Sequence, residues 1–222
     1  MLFVLEDISV EFNIGSKVVK VLEDFNLSID KGEFIALIGP SGSGKTTVLN
    51  LMAGFQRPTR GRVLYRGEDL FSLTRTSIAA FRNKEIGMVH QFYNLLPDLT
   101  ALQNVMVPLL IGGMGIQEAR RRAQNTLEAV GVILRASHYP SEMSGGEQQR
   151  VAIARALANT PEVILADEPT GNLDYATTQE IADLLKELNK QGITIVVVTH
   201  DPKVAERATR VVDLSTHLKV HS

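Results

Sequence analysis

The run Gly39-Pro40-Ser41-Gly42-Ser43-Gly44-Lys45-Thr46 fits the spacing G-x-x-x-x-G-K-[ST] in full. Its chemistry is anion capture. Glycines let the backbone curl until successive N–H groups face one phosphate, Lys45 adds a cation, and Thr46 offers a hydroxyl to Mg²⁺. A glycine-rich turn without a ligand is the alternative, and context weighs against it: the apolar run 34–38 precedes the loop and a helix-compatible stretch, 47–52, follows it. A second signal comes where the apolar run 163–166 ends in Asp167 and Glu168. Beyond a buried strand, Asp167 suits Mg²⁺ through water, and Glu168 is placed to polarise a water for in-line attack on a γ-phosphate. Without the phosphate loop such a pair would read as an ordinary polar strand end. The run 193–198 likewise ends in Thr199-His200-Asp201, where an imidazole can hydrogen-bond the γ-phosphate. His90, His138, His217 and His221 lack that context and read as structural or solvent-exposed.

These residues need a scaffold that delivers strand ends to one edge. The runs 34–38, 86–89, 163–166 and 193–198 are continuously apolar, as strands buried on both faces of a parallel sheet must be. Between them lie helical patterns, clearest over 177–190, where Ile181, Leu184, Leu185 and Leu188 share a face and Gly192 follows as a stop. Strands alternating with helices predict an α/β fold. The first thirty-odd residues, with β-like pieces at 3–9 and 18–22 and a turn near Gly15-Ser16, predict an antiparallel flap. Residues 95–158 read as mostly helical, with Ala119, Ala123, Leu127 and Val130 on one side of a helix ending at Gly131. The expected organisation is one domain over 1–222, its core and flap from 1–91 and 159–222, and a helical insertion over about 92–158.

Composition sets outer limits. A chain of 222 residues, 44% hydrophobic and 22% charged, can bury one sizeable core plus a smaller subdomain. A net charge of −2 gives no pull toward nucleic acid, so none is expected as a partner. With no cysteine there is neither disulfide nor thiolate site, which fits a cytoplasmic setting. The start lacks a basic segment followed by an apolar one, so no signal peptide is expected. The longest apolar stretch, 105–116, is interrupted by Pro108 and Gly112-Gly113 and falls short of the roughly 20 residues a bilayer span needs.

Ser144-Gly145-Gly146-Glu147-Gln148-Gln149-Arg150 narrows the reading. Ser144-Gly145-Gly146 caps a helix expected to start near Glu147, which makes a second anion site; as an alternative it is merely a good cap. Together with the phosphate loop and the acidic pair, the sequence resembles the nucleotide-binding subunits of ATP-binding cassette (ABC) transporters, over nearly the whole chain. The resemblance implies a P-loop cassette binding ATP and Mg²⁺, as a head-to-tail homodimer in which each nucleotide lies between one copy's phosphate loop and the other's signature. It implies nucleotide contacts from Gly39, Pro40, Ser41, Gly42, Ser43, Gly44, Lys45, Thr46 and Thr47, and from Ser144, Gly145, Gly146 and Glu147 across the dimer. Phe12 stands where the family stacks an aromatic on adenine, although an aromatic there is also plain core. Gln91 stands at the loop that meets Mg²⁺ and the membrane subunit, and Leu173-Asp174 where the family's D-loop lies, which adds Asp174 to the expected nucleotide contacts. Lys45, Gln91, Glu168 and His200 are the catalytic expectation, with Thr46, Gln91 and Asp167 on the metal. Four positions depart from the commonest pattern: Met143 for Leu, Glu147 for Gln, Phe12 for the more frequent Tyr, and His90 where Phe is frequent.

The segment 91–97 with Leu99-Thr100-Ala101, and the run 166–174, are similar to the branch of macrolide-export and lipoprotein-release ATPases, which also holds haem exporters, peptide-resistance transporters and a cell-division ATPase. In that branch dimer closure drives a separate membrane permease, here expected to dock near 91–97 at the cytoplasmic face of the inner membrane. The apolar residues after Gln91 fit a docking groove and fit helical core equally well. Arg120-Arg121-Arg122 reads as a solvated face, with lipid headgroups as the lesser option. A non-transport ABC ATPase would carry coiled-coil insertions or a second cassette, and neither is in this sequence. A GTPase would need an Asp where Asn189-Lys190-Gln191-Gly192 has none. A regulatory ATPase of the same branch would look identical.

Overall fold

The computed structural model describes residues 1–15 and 17–217, so Ser16 and His221 lie outside it, as does the side chain of His217. Five strands form an all-parallel sheet: β3 (Phe34–Ile38), β6 (Ile86–His90), β7 (Val163–Asp167), β8 (Thr194–Val198) and β9 (Arg210–Asp213). Their spatial order is β6-β7-β8-β3-β9. Four are the apolar runs of the sequence. The edge strand β9 has no such run, because its residues alternate half-buried and exposed.

Alternation explains why the inner strands are apolar throughout. Phe34 and Ala36 of β3, Ile164 and Ala166 of β7, and Ile195 and Val197 of β8 face one core. Ile35, Leu37, Val163, Leu165, Val196 and Val198 face another. Each full burial of such a side chain contributes about 1.5–3 kcal/mol, and a polar residue is buried there only with a partner, as Thr194 of β8 accepts from the Gly32 N–H.

The first core is closed by helices. α3 (Ala101–Ile111), α4 (Ile116–Ala129) and α5 (Gly145–Leu157) lie between β6 and β7 in the chain, and α6 (Tyr175–Lys190) buries Ile181, Leu185 and Leu188. Thr100 and Gln103 form a capping box on α3, and buried Asn104 ties the loop before it by accepting from Leu96 N–H and donating to the Leu96, Leu99 and Thr100 carbonyls. The second core is closed by α1 (Lys45–Met52), α2 (Arg75–Glu85) and an antiparallel sheet ordered β2-β1-β4-β5. This flap comprises β1 (Phe3–Ile14), β2 (Lys17–Ile29), β4 (Arg60–Tyr65) and β5 (Glu68–Asp69). It is larger than the sequence reading, whose β pieces stopped at residues 9 and 22. Register shifts after Leu5 and Ile8 break the two-residue period that the reading relied on. A short α7 (Pro202–Ala205) follows β8. No helix among the described residues is long and apolar enough to cross a membrane.

Candidate functional site

Parallel strands put their carboxyl ends on one edge, and four of those ends carry the expected site residues: β3 runs into Gly39, β6 into Gln91, β7 towards Glu168 and β8 towards His200. Gly44 ends the phosphate loop at φ 91°, and a Cβ there would lie 2.8 Å from the Leu22 side chain, so glycine is required on both counts. α1 then starts with no side-chain cap, which leaves its first N–H groups open to an anion. Ser43 Oγ is buried and has no hydrogen-bond partner among the described residues. An orphaned hydroxyl, uncapped helix donors and a lysine are what a phosphate group satisfies. Lys45 Nζ donates to the Gly39 and Pro40 carbonyls at 2.8 and 2.9 Å, holding its charge over the loop.

Thr46 Oγ1 donates to both Asp167 oxygens, at 3.2 and 3.0 Å. Burial pushes the Asp167 carboxyl up from its ordinary value, and the Thr46 bond only partly offsets this. A divalent cation beside the pair would favour the ionised form, so the donor set of hydroxyl and carboxylate fits Mg²⁺. Glu168 takes a left-handed backbone, φ 47°, anchored by its N–H on the Val198 carbonyl at 2.9 Å. Its Oε2 accepts from the His200 backbone N–H at 3.3 Å and lies 2.9 Å from His200 Nδ1. The imidazole is mostly exposed while the carboxylate is mostly buried, so the histidine faces outward from a fixed carboxylate.

Gln91 comes off β6, whose last residue, His90, is in register with Asp167. The Gln91 carbonyl accepts from Asn172 Nδ2 at 3.0 Å, and its amide lies over Gly171, where a Cβ would come within 2.8 Å of Nε2. His90 itself is half-buried, and that burial lowers its pKa. Phe12 is 42% exposed on β1 opposite Val19, itself exposed, so the core alternative is excluded and a free aromatic face remains. Thr47 follows Thr46 in the first turn of α1.

The signature is built differently. α5 begins at Gly145, two residues before the expected start, with Ser144 as its N-cap. Ser144 Oγ accepts from Glu147 N–H at 3.3 Å, and Glu147 Oε2 accepts from Ser144 N–H at 2.8 Å. Arg135 Nε adds 2.7 Å to Glu147 Oε1. The Ser144 N–H and then Arg135 hold the Glu147 carboxyl below its ordinary pKa. Gly145 is glycine because Tyr93 Oη and Leu173 close over it, with a Cβ falling 2.8 Å from that hydroxyl. Asp174 caps α6, accepting from the N–H groups of Ala176 and Thr177 and from the Thr177 hydroxyl.

The apolar residues after Gln91 divide. Leu95 packs on the first core, whereas Phe92 and Leu96 are exposed. Beside them a cleft of about 390 Å³ opens between α2, β6, α3 and α5, walled by Phe55, Met88, Val107 and Ile111 with Arg82 and Arg155. Sequence reasoning passed over Arg155, although one arginine among the apolar residues 151–157 of a buried helix is itself a signal.

Residues 22–171 match the family described as ABC transporter. The ATP-binding protein LolD of the lipoprotein-releasing system is 49% identical in two organisms. For Legionella pneumophila (strain Paris) the match covers 91% of this chain and 90% of the relative. For Geobacter metallireducens the shares are 93% and 94%. Among solved structures, a dimeric post-hydrolysis state of the ATP-binding cassette MJ0796 bound to ADP and Pi superposes with a TM-score of 0.87 at 42% identity, covering 95% of this chain and 93% of that one. A second dimeric MJ0796 structure, described as a bacterial ABC transporter cassette, gives 0.87 at 41% identity over 96% and 95%.

Proposed function

This chain belongs to the ABC transporter family of ATP-binding cassettes, and from that premise we propose that it is the ATPase of a lipoprotein-releasing complex. It binds ATP and hydrolyses it to ADP and phosphate, as the subunit that powers a separate membrane partner. Lipoprotein is the favoured substrate among the branch's haem, lipophilic and peptide cargoes because the relatives at 49% identity are LolD proteins. Thr46, Asp167 and Gln91 would hold Mg²⁺, which would neutralise phosphate charge. Glu168 takes the proton from the attacking water, and His200 keeps its carboxylate oriented. Lys45, the open end of α1 and the Ser43 hydroxyl hold the phosphates of one nucleotide, with Phe12 on its base. Ser144, Gly145 and Gly146 complete the site of a second copy, so closure is a head-to-tail dimer and the segment 92–158 moves with it as a helical arm.

The membrane partner docks in the cleft between Phe55 and Ile111, next to the exposed Phe92 and Leu96. That placement makes the chain peripheral, at the cytoplasmic face of the inner membrane. The observation that carries the reading is the end of β7, where Asp167 bonds the phosphate-loop Thr46 and Glu168 bonds His200. Glu168→Gln tests it: ATP binding should survive, turnover should fall by two to four orders of magnitude, and a dimer should accumulate on MgATP. Unchanged turnover would sink the assignment. The substrate is tested separately, by ATP-dependent release of an acylated lipoprotein from vesicles holding the chain and its membrane partner.

A further inference from the structure

Beyond β6 the backbone leaves the sheet and turns through two consecutive left-handed residues that are not glycine, Tyr93 at φ 59° and Asn94 at φ 50°. A side chain with a Cβ, and the bulky tyrosine above all, disfavours that region, so something must hold the turn. Arg155, in the last turn of α5, does so: Nη1 donates to the Asn94 carbonyl at 2.6 Å and Nη2 to the Tyr93 carbonyl at 2.8 Å. The guanidinium fork spans two adjacent carbonyls, which a lysine's single ammonium cannot do with the same geometry. Ten residues earlier the same helix presents Gly145 to the Tyr93 hydroxyl. From the opposite side Asn172 Nδ2 holds the Gln91 carbonyl. Arg155 also lines the cleft between α2 and α3.

We propose that Arg155 is a positioning residue, a clamp that locks the Gln91–Asn94 turn to the signature helix and so fixes Gln91 at the catalytic edge. This rests on the ATPase reading above.

The test uses the whole chain and measures steady-state ATP hydrolysis. Arg155→Ala should lower kcat roughly ten- to a hundredfold by displacing Gln91, and leave KM for MgATP within about twofold, since the phosphate loop is untouched. Adding Asn94→Gly should recover at least half of the lost activity on a logarithmic scale, because glycine adopts a positive φ without the clamp. Arg155→Lys should fall between wild type and Arg155→Ala. Asn94→Val attacks the same turn from the other side, where a β-branched residue resists the left-handed region. It should lower kcat with α5 intact, and it decides the matter if Arg155→Ala does not fold. Full kcat in Arg155→Ala or in Asn94→Val, or no rescue by Asn94→Gly in folded protein, overturns the clamp. Glu168→Gln is run alongside: turnover persisting there overturns the ATPase site itself, while its loss beside full kcat in Arg155→Ala overturns the clamp alone.

Discussion

Helices α1 and α5 both start on glycine-rich runs that read as anion sites, yet the first leaves its N-terminal donors open and the second closes its own. At α1 the N-cap is a left-handed glycine with no side-chain cap, and the neighbouring Ser43 hydroxyl is buried without a partner among the described residues. At α5 a full capping box joins Ser144 and Glu147, and Arg135 neutralises the carboxylate. Unsatisfied donors at one end and satisfied donors at the other mean unequal attraction for phosphate. On the proposed reading the open end would hold a nucleotide in a single copy. The closed end would keep only its spare donors for a phosphate that another surface already holds, the arrangement of a half-site.

The largest effect should come from spoiling the open end. Lys45→Ala removes the charge held over the loop and should weaken nucleotide binding to the monomer by about 3 kcal/mol, roughly a hundredfold in Kd by titration calorimetry, with hydrolysis lost. Binding within about threefold of wild type would show that α1 and Ser43 suffice without it. The same substitution logic at the closed end predicts a different outcome. Ser144→Ala should leave monomer affinity unchanged, remove a cap worth about 1 kcal/mol, and lower Tm by roughly 2–4 °C. Its main defect should be loss of the MgATP-dependent dimer in sedimentation. If monomer affinity falls as it does in Lys45→Ala, the two ends are equivalent and the comparison fails.

The open end was legible in the sequence because everything in it is local: glycines, Lys45 and Thr46 at fixed spacing between an apolar run and a helix. Asp167 and His200 were legible for a related reason, since the apolar run of a strand buried on both faces gives way to polar residues at the sheet edge, at Asp167 ending β7 and at Thr199-His200 after β8. The closed end was half legible. Its cap was foreseen, but Arg135 meets Glu147 across 12 residues and Arg155 reaches Asn94 across 61, and no periodicity encodes such meetings. β9 escaped because an edge strand needs only one buried face, and the flap's full extent escaped because bulges reset its alternation. Asn94 suits a left-handed turn by residue type, but Tyr93 does not, and its left-handed backbone is held by the Arg155 contact from α5.

The smallest and most discriminating effect concerns the charge that closes α5. Glu147→Gln keeps a capping box, because glutamine accepts the Ser144 N–H as well, but removes the anion that Arg135 neutralises. The native carboxyl is held below its ordinary pKa by the Ser144 N–H and by Arg135, so folding binds fewer protons than the unfolded chain does as pH falls through the acid range. The stabilisation is therefore complete above the unfolded value near 4.3 and is lost as pH drops through the lowered native value. Both partners are part-exposed, which limits the contribution at neutral pH to about 0.5–1 kcal/mol. Wild type and Glu147→Gln should differ by that amount in urea titrations at pH 7 and converge toward pH 3. Function should move the other way: with the carboxylate gone, α5 resembles the open end of α1 more closely, and the MgATP-dependent dimer should tighten a few-fold, more at low salt than at high. A Glu147→Gln protein that is less stable at pH 7 but dimerises no better would mean that Arg135 already cancels the charge, and that the closed end owes its weakness to the Ser144 cap alone.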